Sequence, residues 1–419
     1  MTAPAEPTAP PSLLAALRFW AWLGCASFGG PAAQIARLPD ELVVHRRWLD
    51  GERFDHALDF CTMLPGPEAQ QLATWCGFRL HGVRGGIAAG ALFVLPGAVL
   101  MALLSWASAA HADRALALHA LWGAKAVVAG LVAVAVVQLA RRVVRRRAAA
   151  GIALAAFAAL ALGAPFPLVV PAAATLGLLA LPATAGERTA HAPADAAPGG
   201  RPARVLAVGA GLWLLPWLLL LAGGEAFALL RQLYLFFSVA ALVTFGGAYA
   251  VLAYVADASV HTHGWLTTAQ ALDGIALAEA TPGPLVLALQ HVAFVAAWNQ
   301  PGASPPLAMA LLAAAIAAWT TFLPGMTFVL AGAPLLERLR ARPRARAALA
   351  GVTGAALGAL LQLALGVLAA TLRPAATGFD GVATGIAGLA FVAVASRRLG
   401  VLAAMALGVA AGLLRAAMA

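Results

Sequence analysis

Charged side chains are scarce in this 419-residue chain, which is 62% hydrophobic and only 11% Asp, Glu, Lys and Arg. Soluble domains carry about 25% charged residues, so this composition excludes an ordinary water-soluble or disordered protein. Lysine is almost absent, because Lys125 is the only lysine among 27 basic residues, and the net charge is +10. The arginines lie between apolar runs rather than in one patch. The positive balance therefore indicates membrane topology and argues against nucleic-acid binding.

Cysteines and catalytic motifs are equally sparse. The three cysteines, Cys25, Cys61 and Cys76, show no CxxC or other zinc spacing, so we predict no metal site and no cofactor. The sequence contains no GxxxxGK[ST] loop, no HExxH and no GxSxG, so we expect neither an ATP-driven motor nor an enzyme. Residues 1–11 lack a basic stretch followed by an apolar core, and they predict a disordered tail rather than a cleaved signal peptide.

Long apolar runs are what the sequence has in abundance. Since a spanning helix needs about 20 apolar residues, the runs predict an all-α polytopic membrane protein with about 13 transmembrane segments. The predicted segments cover residues 12–36, 57–80, 85–110, 115–140, 148–164, 165–182, 204–224, 229–256, 271–298, 304–334, 347–371, 378–396 and 399–415.

A Pro-, Gly- and charge-rich stretch divides the chain and predicts a linker at 183–204. We therefore expect a first repeat over residues 12–182, a connecting transmembrane helix at 205–224, and a second repeat over 225–419. We expect the linker to lie in the cytoplasm.

Three motifs recur with one offset of 217 positions. Ser27-Phe28-Gly29-Gly30 matches Thr244-Phe245-Gly246-Gly247, Trp48-Leu49 matches Trp265-Leu266, and Pro65-Gly66-Pro67 matches Pro282-Gly283-Pro284. A later match, Leu95-Pro96-Gly97 with Leu323-Pro324-Gly325, has an offset of 228. An odd number of predicted helices separates the two copies, and the arginine-rich loops follow the fourth helix of one half and the third of the other. Both observations predict repeats of inverted topology, with the N-terminus cytoplasmic and the C-terminus periplasmic.

The Pro-Gly-Pro elements are candidate binding sites. Inverted repeats with interrupted helices are typical of secondary transporters, whose site lies between the repeats. Pro67 and Pro284 suit the first position of a half-helix, whose free N–H groups and positive dipole end attract anions. We expect Pro65, Gly66 and Pro67 to face Pro282, Gly283 and Pro284 across one anion. The alternative is a proline kink that serves only helix packing.

Further candidate ligands surround these turns. They are the backbone of Gly29, Gly30, Gly246 and Gly247, the hydroxyls of Ser27, Thr244 and Thr281, the amides of Gln70 and Gln71, and the ammonium group of Lys125. The glycine pairs are equally explained by close helix packing. Lys125 lies within an apolar helix, where it would bind an anion, pair with a glutamate, or extend to the interface.

Two glutamates flank the Pro-Gly-Pro elements and are candidates for proton coupling. Glu68 follows the first element and Glu279 precedes the second. Ionisable groups inside a membrane are costly and default to functional roles. The alternative for Glu68 is a carboxylate that stabilises the start of a helix.

These motifs resemble the chromate ion transporter family in its long two-domain form. The resemblance is carried by Phe28 to Ala36, Arg46 to Leu49, the highly specific run Leu64-Pro65-Gly66-Pro67-Glu68-Ala69-Gln70-Gln71-Leu72, and their second-half counterparts Val243 to Leu252, Gly264 to Thr267 and Thr281 to Leu285. Two departures from the family pattern are Ala126, where a proline is expected after Lys125, and Gly97, where serine is more common.

The resemblance implies export of chromate, a tetrahedral dianion shaped like sulfate, across the inner membrane of a bacterium. It also implies chromate resistance and driving by the proton gradient or by anion exchange. The expected partners are the oxyanion, protons, the lipid bilayer and, as an open alternative, a second copy of the chain. Three other functions stay open at this point: transport or exchange of sulfate or a related oxyanion, a membrane scaffold or sensor without flux, and a channel, which would require flux without saturation or proton coupling.

Overall fold

The structure, a computed structural model, describes residues 11–181, 202–245, 248–333, 343–373 and 378–418. Within these ranges every regular element is a helix. The N-terminal residues 1–10, most of the predicted linker and the pair Gly246-Gly247 lie outside the described residues.

The first half begins with three short helices, α1 (Leu13–Ala26), α2 (Gly30–Pro39) and α3 (Gly51–Cys61). A π-helical turn, Asp40–His45, extends α2. The long helix α4 (Glu68–Ala110) has non-helical dihedral angles at His81 and Gly82, which confirms the predicted boundary between residues 80 and 85. Three helices complete this half: α5 (Ala115–Val143), α6 (Arg147–Ala161) and α7 (Phe166–Ala180).

Helix α8 (Pro202–Ala222) leads into the second half, which repeats the pattern of short helices. It comprises α9 (Ala228–Leu242), α10 (Ala248–Asp257) with the π-helical turn Ala258–Thr262, α11 (Thr268–Ala280), the short 3₁₀ turn Leu285–Leu287 and α12 (Ala288–Asn299). The long helices α13 (Pro306–Gly332) and α14 (Pro343–Leu372) follow, and α15 (Gly381–Ala395) and α16 (Val401–Met418) end the described chain.

Seven helices of the described chain are long and apolar enough to cross a membrane. They are Glu68–Ala110, Ala115–Val143, Pro202–Ala222, Gly224–Val243, Pro306–Gly332, Arg344–Leu372 and Val401–Met418. The predicted all-α polytopic membrane protein is thereby confirmed. Shorter apolar helices of 10–17 residues accompany these seven, so the predicted count of about 13 spans stays a prediction.

The predicted spans 57–80 and 271–298 are both interrupted at their Pro-Gly-Pro elements, as the sequence indicates. In the second span α11 ends before Pro282-Gly283-Pro284 and α12 runs back beside α11, so the span forms a hairpin rather than one straight crossing. The two free ends of this hairpin are adjacent, since the Asn299 amide donates to the carbonyl of Trp265 at 3.0 Å. Pro284 cannot donate a helical hydrogen bond, and Gly283 has a positive φ of 91°, so the backbone turns here instead of continuing.

The two halves share local structure as well as motifs. Asp50 caps the start of α3 and Thr267 caps the start of α11, each by accepting a hydrogen bond from the backbone N–H three residues on. Ring contacts recur at the same offset: the Phe19 and Trp48 centroids are 5.1 Å apart, and the Phe236 and Trp265 centroids are 5.3 Å apart.

Small residues allow the outer helices to pack closely. A Cβ atom added to Gly123 of α5 would lie 1.9 Å from the carbonyl oxygen of Gly408 in α16. At the end of the same interface the Asp380 carboxylate, which caps α15, accepts hydrogen bonds from Trp122 Nε1 at 3.1 Å and from Arg415 at 3.0 Å. Close backbone approach and polar contacts of this kind are how helices associate in lipid.

Candidate functional site

We call the places where the helices are interrupted the breaks. The breaks of one half hydrogen bond to the breaks of the other half. The backbone N–H of Gly66 donates to the carbonyl of Thr244 at 2.9 Å, and the N–H of Gly283 donates to the carbonyl of Ser27 at 2.8 Å. Ser27 is equivalent to Thr244 and Gly66 to Gly283, so exchanging the two halves converts one hydrogen bond into the other. We call this set of four residues the reciprocal clasp. From the sequence, the two Pro-Gly-Pro turns are expected to face each other across an anion. In the structure each turn hydrogen bonds instead to the Ser27 or Thr244 break of the other half.

Two further glycines pack against the reciprocal clasp. A Cβ atom on Gly97 of α4 would lie 2.1 Å from the carbonyl oxygen of Pro282. A Cβ atom on Gly66, whose φ is +125°, would lie 3.3 Å from the Cα of Gly325 in α13. Each Leu-Pro-Gly element of the sequence therefore packs on the Pro-Gly-Pro turn of the other half. The glycines are required by the close approach of two backbones.

The hydroxyls predicted to bind an anion already donate hydrogen bonds. Ser27 Oγ donates to the carbonyl of Leu23 at 2.6 Å, Thr244 Oγ1 to that of Ala240 at 2.6 Å, and Thr281 Oγ1 to that of Ala278 at 3.0 Å. The N–H groups of Gly66 and Gly283 are also engaged, in the reciprocal clasp. In this structure these donors hold the breaks in shape and are not directed at an open site.

Three buried glutamines line the first-half side of the reciprocal clasp. Gln34 donates to the carbonyls of Gly283 at 2.5 Å and Ser27 at 3.2 Å, and Gln71 donates to that of Pro65 at 2.7 Å. Gln70 is fully buried, yet both atoms of its amide lack a hydrogen-bond partner among the described residues. A buried amide without a partner costs about 1–3 kcal/mol, which points to a ligand or water at this position.

The start of α4 places backbone donors beside Gln70. The first helical hydrogen bond runs from the Gln71 N–H to the carbonyl of Pro67, which leaves the preceding N–H groups without an intrahelical acceptor. Glu68 lies in this first turn, partly buried. Its carboxylate makes no hydrogen bond or ion pair with any described residue, and its place in the first turn still suits the alternative that it stabilises the helix start through the dipole. The positive end of the helix dipole and the Gln70 amide together favour an anion.

Glu279 lies on the other side of the reciprocal clasp. Its side chain is buried and accepts a hydrogen bond of 2.7 Å from the Tyr249 hydroxyl. A Cβ atom on Gly30, where φ is +73°, would lie 3.8 Å from Tyr249 Oη and 3.9 Å from Glu279 Oε2. The carboxylate of the second half therefore faces the glycine pair of the first half. Tyr249 is not among the candidate site residues of the sequence analysis, although it lies within the run Val243 to Leu252 that carries the resemblance.

Lys125 has a partner that the sequence analysis missed. Its Nζ lies 2.9 Å from Oδ1 of Asp273, which is on α11. Next along this region, His291 Nδ1 is 2.9 Å from the Ser105 hydroxyl, and Gln290 donates to the carbonyl of Ala98 at 2.8 Å. A signal for Asp273 was available, because it is an isolated carboxylate in the apolar stretch 271–278.

A cavity of about 340 Å³ lies apart from the reciprocal clasp. Its walls come from the loop between α6 and α7, from α10 and its π-helical turn, from the first turn of α11 and from α14. The candidate site residues named above do not line it.

A family described as chromate transporter matches residues 14–178 and 231–413. The chain is 31% identical to a chromate transport protein of Pseudomonas aeruginosa, over 88% of this chain and 84% of the relative. It is 27% identical to a probable chromate transport protein of Synechococcus elongatus, over 83% of both chains. It is 28% identical to a chromate transport protein of Cupriavidus metallidurans, over 81% and 78% of the two chains. No solved structure matches the chain.

Proposed function

Because this chain belongs to the chromate transporter family, we propose that it transports chromate across the inner membrane of a bacterium. The proposed direction is export from the cytoplasm, with resistance to chromate as the result. The energy source is the proton gradient or the exchange of one anion for another. The chain acts as a secondary transporter and not as an enzyme.

The observation that carries this proposal is the unpartnered Gln70 amide beside the start of α4. Gln70 is fully buried and its amide lacks a partner among the described residues. A tetrahedral oxyanion there would accept hydrogen bonds from this amide and from the N–H groups of the first turn, and it would be stabilised by the helix dipole. The proposed site contains the side chains of Gln70, Gln71 and Lys125. It also contains the four breaks, at Ser27 to Gly30, Pro65 to Pro67, Thr244 to Gly247 and Thr281 to Pro284.

Alternating access is proposed to work by rocking one half against the other. The reciprocal clasp supports this, since exchanging the two halves reproduces its two hydrogen bonds. Such a relation is expected of inverted repeats that share one central site. The arginines at 141–147, together with those that precede α14, favour a cytoplasmic location for both loops. The proposed N-terminus is then cytoplasmic and the C-terminus periplasmic.

Proton coupling is proposed to involve Glu68 and Glu279. Glu68 is in the same helical turn as the proposed anion site, so its protonation would remove a negative charge that repels the anion. Glu279 hydrogen bonds to Tyr249 and faces Gly30. Protonation of Glu279 would alter this contact and would thereby affect the opposite half. Both carboxylates lie next to the interrupted helices that would move.

Flux of labelled chromate in proteoliposomes tests the proposal. Vesicles containing the purified protein would be loaded with chromate and assayed with and without a pH gradient, and with sulfate as competitor. Saturable chromate flux that responds to the gradient or to a counter-anion is the expected result. Saturable flux of sulfate without chromate flux would retain the site and replace the substrate. A lack of flux for either dianion would favour a scaffold or sensor.

A further inference from the structure

The ion pair between Lys125 and Asp273 joins two helices in the interior of the protein. Lys125 is in the middle of α5 and Asp273 is on α11, and their charged atoms are 2.9 Å apart. Both side chains retain some accessible surface, 23% for Lys125 and 16% for Asp273. The pair is therefore neither exposed at a helix end nor fully sealed by packing, although Asp273 Oδ1 itself is buried.

The neighbourhood of Asp273 contains few other charges. Lys125 faces it from α5, and His291 of α12 lies within electrostatic range. His291 in turn contacts Ser105 of α4.

The other carboxylate of α11, Glu279, is engaged by Tyr249 of α10. On α16 the described charged residue, Arg415, binds Asp380, and the described arginines of α14, Arg344, Arg346 and Arg373, lie at its ends. Lys125 and His291 are thus the titratable groups next to Asp273.

Asp273 and the anionic substrate compete for the ammonium group of Lys125. A dianion that reaches Lys125 offers the ammonium group two negative charges where Asp273 offers one, so it can displace the carboxylate. The displaced carboxylate would then be partly buried without its cation, which is strongly unfavourable. Uptake of one proton from solvent by a carboxylate oxygen removes this penalty, since a neutral carboxyl group is far less costly to bury than a carboxylate.

We propose that the transported oxyanion displaces Asp273 from Lys125 and that the released Asp273 carboxylate takes up one proton, so that anion and proton bind together. In export the proton then leaves with the dianion, so one net negative charge crosses the membrane, and the membrane-potential part of the proton gradient drives the step. This inference rests on the proposed function and specifies its coupling step. It makes Asp273 a positioning residue that holds Lys125 until the anion arrives. Asp273 is also on the helix that leads to the second Pro-Gly-Pro turn, so its release is transmitted along α11 to the reciprocal clasp.

Proton uptake on chromate binding tests this inference directly. Purified full-length protein in detergent, in weakly buffered solution with a pH indicator, would be titrated with chromate in a pH range where chromate is a dianion. The wild-type protein should take up about one proton per chromate bound. Asp273→Asn should bind chromate about tenfold more tightly, equivalent to about 1.4 kcal/mol, because the competitor is gone, and it should lose most of the proton uptake.

Asp380→Asn is the matched control. It removes a carboxylate that contacts a cation at a similar distance, Arg415 at 3.0 Å, but outside the proposed site. It should leave both chromate affinity and proton uptake unchanged. Should Asp273→Asn fail to give a monodisperse protein, Asp273→Ser removes the same carboxylate with a smaller side chain. Lys125→Met should abolish chromate binding in either case.

The outcomes separate this inference from the proposed function. Proton uptake that persists in the Asp273 variants would overturn the inference and leave chromate transport intact, with coupling elsewhere. Chromate binding to the wild type without proton uptake would also overturn it. A wild-type protein that neither binds nor transports chromate would overturn the proposed function itself.

Discussion

The Tyr249 hydroxyl donates a 2.7 Å hydrogen bond to the buried Glu279 carboxylate, next to Gly30 of the opposite half. This contact links α10, α11 and the first glycine pair. We expect Tyr249→Phe to destabilise the protein by about 1–3 kcal/mol, because a buried carboxylate loses its donor. Glu279→Gln combined with Tyr249→Phe should cost less than the two single changes added together. Thermal unfolding of all three variants in detergent measures this, and strict additivity would contradict it.

Gly66 and Gly163 provide a comparison of two glycines with positive φ. Gly66 has φ of +125° and touches Gly325, whereas Gly163 has φ of +87° with open space around its Cα. Gly66→Ala should reduce chromate transport by about tenfold or more, since strain of about 1–3 kcal/mol falls on the reciprocal clasp. Gly163→Ala should carry only local strain and retain transport. Transport rates would be normalised to the amount of folded protein. An equal fall in transport and expression for Gly66→Ala would favour a packing role.

The Gln70 amide allows stability and function to be separated. Gln70→Leu should stabilise the protein by about 1–3 kcal/mol, because it removes a buried amide that lacks a partner. The same change should strongly weaken chromate binding. Gln71→Leu is the control. It removes the 2.7 Å hydrogen bond to Pro65, so it should destabilise the protein. Unfolding temperature and chromate affinity, measured on the same samples, test both statements, and an undiminished affinity in Gln70→Leu would remove Gln70 from the site.

Glu68 makes no hydrogen bond or ion pair with any described residue, which suits a group that gains and loses a proton. We expect Glu68→Gln to abolish the pH dependence of chromate flux, measured where chromate itself stays a dianion. Glu225→Gln is the control, because the Glu225 side chain is 95% exposed, and it should leave the pH profile unchanged. A wild-type profile in Glu68→Gln would exclude Glu68 from coupling.

Asp380 should make stability depend on pH at the α5–α16 interface. Burial alone would raise the pKa of Asp380, but hydrogen bonds from Ala383, Arg415 and Trp122 and the charge of Arg415 hold it below its ordinary value. A lowered pKa means that the contribution to stability is full above the ordinary pKa of about 4 and is lost as the pH falls below it. Unfolding temperatures in acid should therefore fall less steeply for Asp380→Asn than for the wild type. Parallel curves would contradict this.

Local motifs made part of this arrangement predictable. The offset of 217 positions located both breaks and both Pro-Gly-Pro turns, because glycine and proline determine backbone geometry wherever they occur. The offset did not reveal that Gly66 would bond to Thr244, or that the hydroxyl of Ser27 would be used within its own helix. Those contacts depend on how the halves pack, which no local pattern encodes.

Hydropathy likewise identified α11 and α12 but not their direction. Residues 271–298 are predominantly apolar, so a hairpin and a straight span have the same hydropathy. The partnership of Lys125 with Asp273 was out of reach for a related reason, since the two residues are distant in sequence and share no repeat register. Only the packing of α11 on α5 brings them within 2.9 Å.

The reciprocal clasp makes the assembly of each half depend on the other. Each half contains a turn whose N–H finds its acceptor only in the other half. A half expressed alone would leave the N–H of Gly66 or Gly283 without that acceptor, so the halves depend on each other as separate polypeptides would in an obligate heterodimer. Cutting the gene within the linker and co-expressing the fragments should yield one complex that co-purifies. Either fragment expressed alone should be degraded.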